Sequence, residues 1–202
     1  QYLHDNGWTT LTIDEFYDRQ QKKKEIPKKS CLITFDDGYY EMYYQVLPIL
    51  KKYQFNGVSF IVVSYTPDVT PAYDPAQRHM IGWDKIREVE ADYPGLRFES
   101  HSYNLHGHDA DGNEPWKTAS LSALEDDFAA GDQYGFQYMA YPYGGFNDNM
   151  LKAVERSNIK MAFTFKTPNY ATHRSSPYKI PRQKITAETS FEEFKKIMKK
   201  VE

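Results

Sequence analysis

Apolar and polar positions along this chain switch repeatedly between two spacings, and the switching predicts its elements. Residues 9–12 alternate and predict a short strand. The run Cys31-Leu32-Ile33-Thr34-Phe35 is nearly all apolar and predicts one buried strand. Further strands are predicted over 58–63, 96–100, 138–141 and 161–165, with a short extended piece reaching 185. Helical spacing fills the intervals. Thr12-Ile13-Asp14-Glu15 reads as a capping box, in which a hydroxyl and a carboxylate each satisfy an N–H of a helix start, leading to about 21. Val46, Leu47, Leu50 and Tyr53 share one face of a helix over 43–53, and another helix covers 83–91. A second box at Ser122-Ala123-Leu124-Glu125 opens a helix ending near Gly131. Asn147 caps one running to about 157, and Ser190-Phe191-Glu192-Glu193 caps a last one with a basic outer face. The polar stretches 22–30, 65–80, 106–118 and 166–178 read as connections. Strand and helix alternate with no repeat and no linker. That is the pattern of a mostly parallel sheet with crossover helices. Periodicity alone does not separate a barrel from an open doubly wound sheet.

Composition narrows the function classes. At 202 residues, 40% hydrophobic and 16% aromatic, the chain is expected to form one globular domain with a sizeable core. A formal charge of -3 argues against a nucleic-acid binder, whose footprint is basic. No membrane-spanning run is visible in the sequence, and no glycine-rich phosphate loop. Cys31 is the only cysteine, so no disulfide forms within the chain, and its place in an apolar run predicts an inert thiol. The first residues read as the tail of a helix with Gly7 at its C-cap. The expectation is a single domain over 1–202 that lacks a native N-terminal segment, where an export signal would lie.

The candidate chemistry begins where the strand of Phe35 ends, at Asp36-Asp37-Gly38. Two adjacent carboxylates at one strand end are costly to keep as anions unless a cation or a division of roles relieves them. Successive side chains on an extended segment face opposite ways, which would let each carboxylate serve a different task. Downstream lies Ser100-His101-Ser102-Tyr103-Asn104-Leu105-His106. One aspartate and two histidines form a three-ligand set with an open position, the layout of catalytic zinc. A five-residue step turns by about 140° on an ideal helix, so the two histidines are expected to flank a strand-to-loop turn. His108 is an alternative second ligand, and Ser102 is expected to orient the turn. Asp-Asp-Gly alone would also suit a plain turn.

Thr34-Phe35-Asp36-Asp37-Gly38, then His101-Ser102 with His106, then Tyr141-Pro142-Tyr143-Gly144, resembles the polysaccharide deacetylases of the NodB-like carbohydrate esterase group. The motifs fall in that family's order and span about half the chain. The resemblance implies a distorted (β/α) barrel of about seven mostly parallel strands. It assigns Asp36 as general base and Asp37, His101 and His106 as metal ligands. The backbone of Tyr143 would face a developing oxyanion beside the groove wall of Pro142. It implies zinc, with cobalt, nickel or iron as alternatives, and an N-acetylated polysaccharide as substrate. The five-residue histidine spacing resembles the subgroup acting on poly-β-1,6-N-acetylglucosamine. Peptidoglycan, chitin and xylan are alternatives, as is a carbohydrate-binding protein with a decayed site. A monomer at the cell surface or outside the cell is expected. Tyr141, Trp116 and Tyr103 are candidate sugar-binding aromatics. Two departures stand out. Where the family often has a base-steadying arginine, this chain has Ala140, and Arg182 is the candidate substitute. The family's late acidic histidine has no matching motif here. His173 is one candidate, a residue of the missing N-terminal segment or a water another.

Overall fold

The computed structural model describes residues 1–165 and 169–200. Its framework is a sheet of six parallel strands: β3 (Thr34–Phe35), β4 (Gly57–Ile61), β5 (Leu96–Ser100), β6 (Tyr138–Ala140), β7 (Met161–Thr164) and β8 (Ile180–Pro181). They neighbour one another in chain order, so each connection is a crossover and all C-terminal ends share one mouth. A separate parallel pair, β1 (Thr9–Thr10) with β2 (Ser30–Cys31), lies beneath them. The helices are α1 (Tyr2–Asp5), α2 (Ile13–Gln21), α3 (Leu47–Tyr53), α4 (Trp83–Asp92), α5 (Pro115–Thr118), α6 (Leu121–Gly131), α7 (Asp148–Arg156) and α8 (Phe191–Lys199). The curled sheet with its helices is a distorted (β/α) barrel. Among the described residues it has six strands in the main sheet and two outside, where about seven were expected.

Strand β4 is buried at every position because the barrel interior covers one face and helices the other. Inside, Val58, Phe60, Tyr138, Met161, Phe163 and Ile180 pack with Leu11, Ile13 and Phe16 around α2. Truncating a fully buried ring such as Phe60 to alanine would cost about 3–5 kcal/mol. On the outside, α3 and α4 cover one part of the sheet, and α6 and α7 another.

Three local expectations are corrected. The predicted strand over 31–35 is two strands in different sheets. Ser30–Cys31 pairs with β1, and the chain crosses at Leu32-Ile33 before β3 pairs with β4. Asn56 pins this step by donating its backbone N–H to Thr10 Oγ1 (2.6 Å) and its side-chain amide to the Thr10 carbonyl (2.8 Å). The helix over 43–53 is α-helical only from Leu47; Met42–Val46 is π-helical. Pro48 has no N–H for the preceding turn, and the widened turn lies just before it. The cap of α6 is Ser120, whose hydroxyl accepts the Ala123 N–H, and not Ser122. The capping boxes of α2 and α8 form as predicted. Of the polar connection predicted over 166–178, residues 166–168 lie outside the described residues.

The base of the barrel holds a carboxylate with a structural task. Glu99 on β5 is 1% exposed. Its Oε2 accepts the N–H groups of Gln137 (2.8 Å) and Tyr138 (3.0 Å) at the entry to β6, and Oε1 meets Arg97 Nε at 2.7 Å. The β5–β6 ladder itself pairs only Ser100 with Met139, so this carboxylate completes the join below it.

Candidate metal and catalytic site

Strand β3 delivers Asp36 and Asp37 to the mouth, and the turn that follows divides their roles. Asp37 and Gly38 both have positive φ, 73° and 78°. At Gly38 the backbone passes so close to β4 that a Cβ would lie 2.8 Å from Ile61 Cγ2, which only glycine avoids. The two carboxylates therefore part at a left-handed turn and not by strand alternation.

Asp37 turns toward the histidines. Its Oδ1 lies 3.4 Å from His101 Nε2 and 3.1 Å from His106 Nε2, and one donor atom from each residue falls within 4.8 Å of the others. His101, 1% exposed, places Nδ1 at 2.8 Å from the Ala140 carbonyl. A carbonyl only accepts, so Nδ1 carries the proton and Nε2 keeps its lone pair for a cation. One carboxylate and two imidazoles with an open side fit a divalent transition metal. Burial opposes ionisation of Asp37, but its contacts with the two imidazoles outweigh it and hold the carboxyl well below its usual range. His108 is not in this cluster; its ring packs 5.5 Å from that of Tyr143.

The loop between the histidines is held from three sides. Ser102 has φ 79°, donates its N–H to Ser100 Oγ (3.1 Å) and accepts the Leu105 N–H at 3.0 Å. Asp127 on α6 accepts the N–H groups of Tyr103 (2.9 Å) and Asn104 (2.7 Å). The Tyr65 hydroxyl donates to the His106 carbonyl at 2.8 Å. Asp127 and Tyr65 carry no motif in the sequence and were not among the expected site residues.

Asp36 faces the other way, onto Arg182. The guanidinium meets both carboxylate oxygens at 2.7 and 2.8 Å and also reaches Thr34 Oγ1 at 3.1 Å. It stacks 4.1 Å from the Phe165 ring. Arg182 follows β8 and Asp36 follows β3, the two edges of the sheet, so this fork bridges the open seam of the barrel. Burial raises the Asp36 carboxyl, but the charges of Arg182 and His101 and the Arg182 hydrogen bonds together outweigh it, and the group lies below its usual range. It is an anion near neutral pH.

Tyr143 stands on the opposite wall in a one-turn helix, with φ 57° and 41% exposure. Its ring lies 4.5 Å from that of His106, and its hydroxyl accepts the Gly107 N–H (3.0 Å) and donates to the Gly107 carbonyl (3.1 Å). Positive φ at Asp37, Ser102 and Tyr143 concentrates backbone strain around one small site.

Other candidates are placed elsewhere. Tyr141 is fully buried, with its hydroxyl on the Tyr178 carbonyl, and Pro142 is buried beside it. Trp116 is 4% exposed and packs on Gly145, where a Cβ would meet its indole at 2.2 Å. Tyr141 and Trp116 are core rings, not exposed sugar platforms. Tyr103 is half-buried within the loop clamped by Asp127. His173 lies at the far end of the barrel. Its segment enters β8 from below, where the Ser175 carbonyl accepts from Gln20 and the Pro177 carbonyl from Ala162. It does not reach the carboxylates, so it is not placed to protonate a leaving group.

The parallel α/β barrel thus sets a carboxylate–bis-imidazole cluster that could hold a metal ion beside a second, arginine-held carboxylate. The chain belongs to the polysaccharide deacetylase family, whose model matches residues 23–162. Curated relatives named poly-β-1,6-N-acetyl-D-glucosamine N-deacetylase, from Staphylococcus epidermidis and Staphylococcus aureus, are 28% identical over 191 residues. The match covers 90% of this chain and 63% of those proteins, so the chain spans less than two thirds of their length. Among solved structures, a de-N-acetylase from Aggregatibacter actinomycetemcomitans superposes with a TM-score of 0.74 at 25% identity, over 96% of this chain and 85% of that one. IcaB from Ammonifex degensii gives 0.79 at 22% identity, over 98% and 84%, a likeness of fold.

Proposed function

We propose that this protein is a metal-dependent N-deacetylase of poly-β-1,6-N-acetylglucosamine, acting as a monomer outside the cell or at its surface. The observation that carries the reading is the Asp36–Arg182 fork set beside the Asp37, His101 and His106 donors. The family match and the names of the staphylococcal relatives support the substrate class. Among the described residues, no helix is long and apolar enough to cross a membrane.

Asp37, His101 and His106 would hold the metal; zinc, cobalt, nickel and iron all suit the donor set. When bound, such an ion polarises an amide carbonyl and makes a nearby water more acidic. The protein's own groups do the rest. Arg182 keeps Asp36 ionised and oriented, so that Asp36 takes a proton from the attacking water. The water oxygen bonds to the acetyl carbon, and the carbonyl electrons move to oxygen, which the Tyr143 backbone N–H would stabilise by donating to it. The C–N bond then breaks, leaving acetate and an amine. The proton taken up by Asp36 would pass to the departing nitrogen.

The test is acetate release from β-1,6-linked N-acetylglucosamine oligomers with zinc or cobalt present, beside Asp36→Asn. Release by the parent alone supports the reaction and the base. No release with metal bound would move the substrate to another acylated glycan.

A further inference from the structure

A second aromatic feature of the mouth takes no part in the chemistry above. Tyr44 and Tyr73 are 42% and 44% exposed, with ring centroids 4.3 Å apart. Tyr44 lies on the segment after β3, the strand whose end carries Asp36 and Asp37, and Tyr73 lies on the segment after the neighbouring strand β4. The segments are joined by an antiparallel bridge between Tyr39 and Met80 and by the Tyr40 N–H to the His79 carbonyl (2.8 Å). Tyr40, 6% exposed, backs the pair from beneath, 4.6 Å from Tyr44 by ring centroid and hydrogen-bonded to its hydroxyl at 3.2 Å. Tyr43 braces the same turn, with its hydroxyl on Glu88 Oε1 (2.5 Å) and Lys85 Nζ 4.8 Å above its ring. The π-helical turn Met42–Val46 carries Tyr43 and Tyr44, and such turns recur at functional sites.

These tyrosines are held by their neighbours before any ligand arrives, so little side-chain freedom remains to be lost on contact. Large exposed rings with polar edges, fixed from behind, suit a ligand with an apolar face and a hydroxyl-rich rim. A pyranose ring is such a ligand. We propose that Tyr44 and Tyr73 form a stacking subsite for a sugar unit of the polysaccharide distant from the unit being deacetylated. This rests on the polysaccharide reading above. It gives the protein a grip on chain length separate from its chemistry.

The experiment compares Tyr44→Ala, Tyr73→Ala and the two phenylalanine variants with the parent. Acetate release is measured on the dimer and the hexamer of β-1,6-linked N-acetylglucosamine. Hexamer binding is measured by calorimetry in an Asp36→Asn background. The alanine variants should raise KM for the hexamer about tenfold while kcat/KM for the dimer stays unchanged. The phenylalanine variants, which keep the ring, should behave as the parent does. An unchanged hexamer KM, or equal losses on dimer and hexamer, would overturn the subsite. If the parent releases no acetate from either oligomer, the proposed reaction fails, and calorimetry alone judges the platform. Hexamer binding lost with the alanine variants then supports it, and binding that is equal in all variants, or absent from all, refutes it.

Discussion

Two carboxylate–arginine pairs occupy opposite ends of this barrel, and their surroundings give them opposite work. At the base, Glu99 is sealed from water and spends one oxygen on two backbone N–H groups of the next strand. Burial is the dominant influence there and pushes its carboxyl up to about 7, despite Arg97 and those N–H groups. At the mouth, Asp36 meets a flat two-pronged guanidinium, keeps part of its surface open, and is held below its usual range. A carboxylate whose lone pairs are taken up by backbone donors is a structural pin. One held by a charged fork beside an open cleft stays an anion near neutral pH.

The largest expected effect breaks the mouth pair at its acid. Asp36→Asn should lower kcat by about 10²–10⁴ while the protein still binds metal, read as turnover beside metal content. Loss of metal together with activity would instead make Asp36 a ligand. Next comes Asp127→Ala, which strips two N–H groups of their acceptor in the loop between the histidines. Metal affinity should fall about 10–100-fold, as for other groups that orient ligands, and stability by about 1–3 kcal/mol. Arg182→Lys keeps the charge but loses the fork and its stacking on Phe165, so kcat should drop about tenfold. The matching Arg97→Lys at the base should lower the melting temperature and leave kcat alone. Similar behaviour of the two lysine variants would erase the distinction. The smallest effect lies in pH. Glu99 binds a proton more readily folded than unfolded, since its carboxyl lies above the ordinary 4.5. Its contribution to stability should therefore decline as pH rises from 4.5 to about 7 and level off beyond. Melting curves of Glu99→Gln across that window should lack this decline.

The two ends also differ in how far they could be read beforehand. Asp36, Asp37, His101 and His106 were legible because each sits in a short local motif at a strand end. Arg182 was reachable only as a candidate, since its pairing with Asp36 spans 146 positions that no local pattern links. Asp127 has no distinguishing signal, because an acid beside Asp126 on an amphipathic helix reads as a solvated face. The acceptor for His101 is a backbone carbonyl, and any residue at 140 supplies one. Trp116 misled because it stands in a polar stretch, yet Pro115 begins a helical turn that folds the indole inward. The strands were clearest where both faces are buried, as over Leu96–Ser100, and least clear at Ser30–Phe35, where one apolar run serves two sheets.

The fork across the seam has a consequence for descent. Because Asp36 and Arg182 fasten the two sheet edges to each other, selection for folding alone favours keeping them. A descendant that had abandoned deacetylation could lose its histidines first and retain this clasp. Among such sequences, the Asp36–Arg182 pair would track the closed barrel, and the Asp37, His101 and His106 donors would track the proposed chemistry.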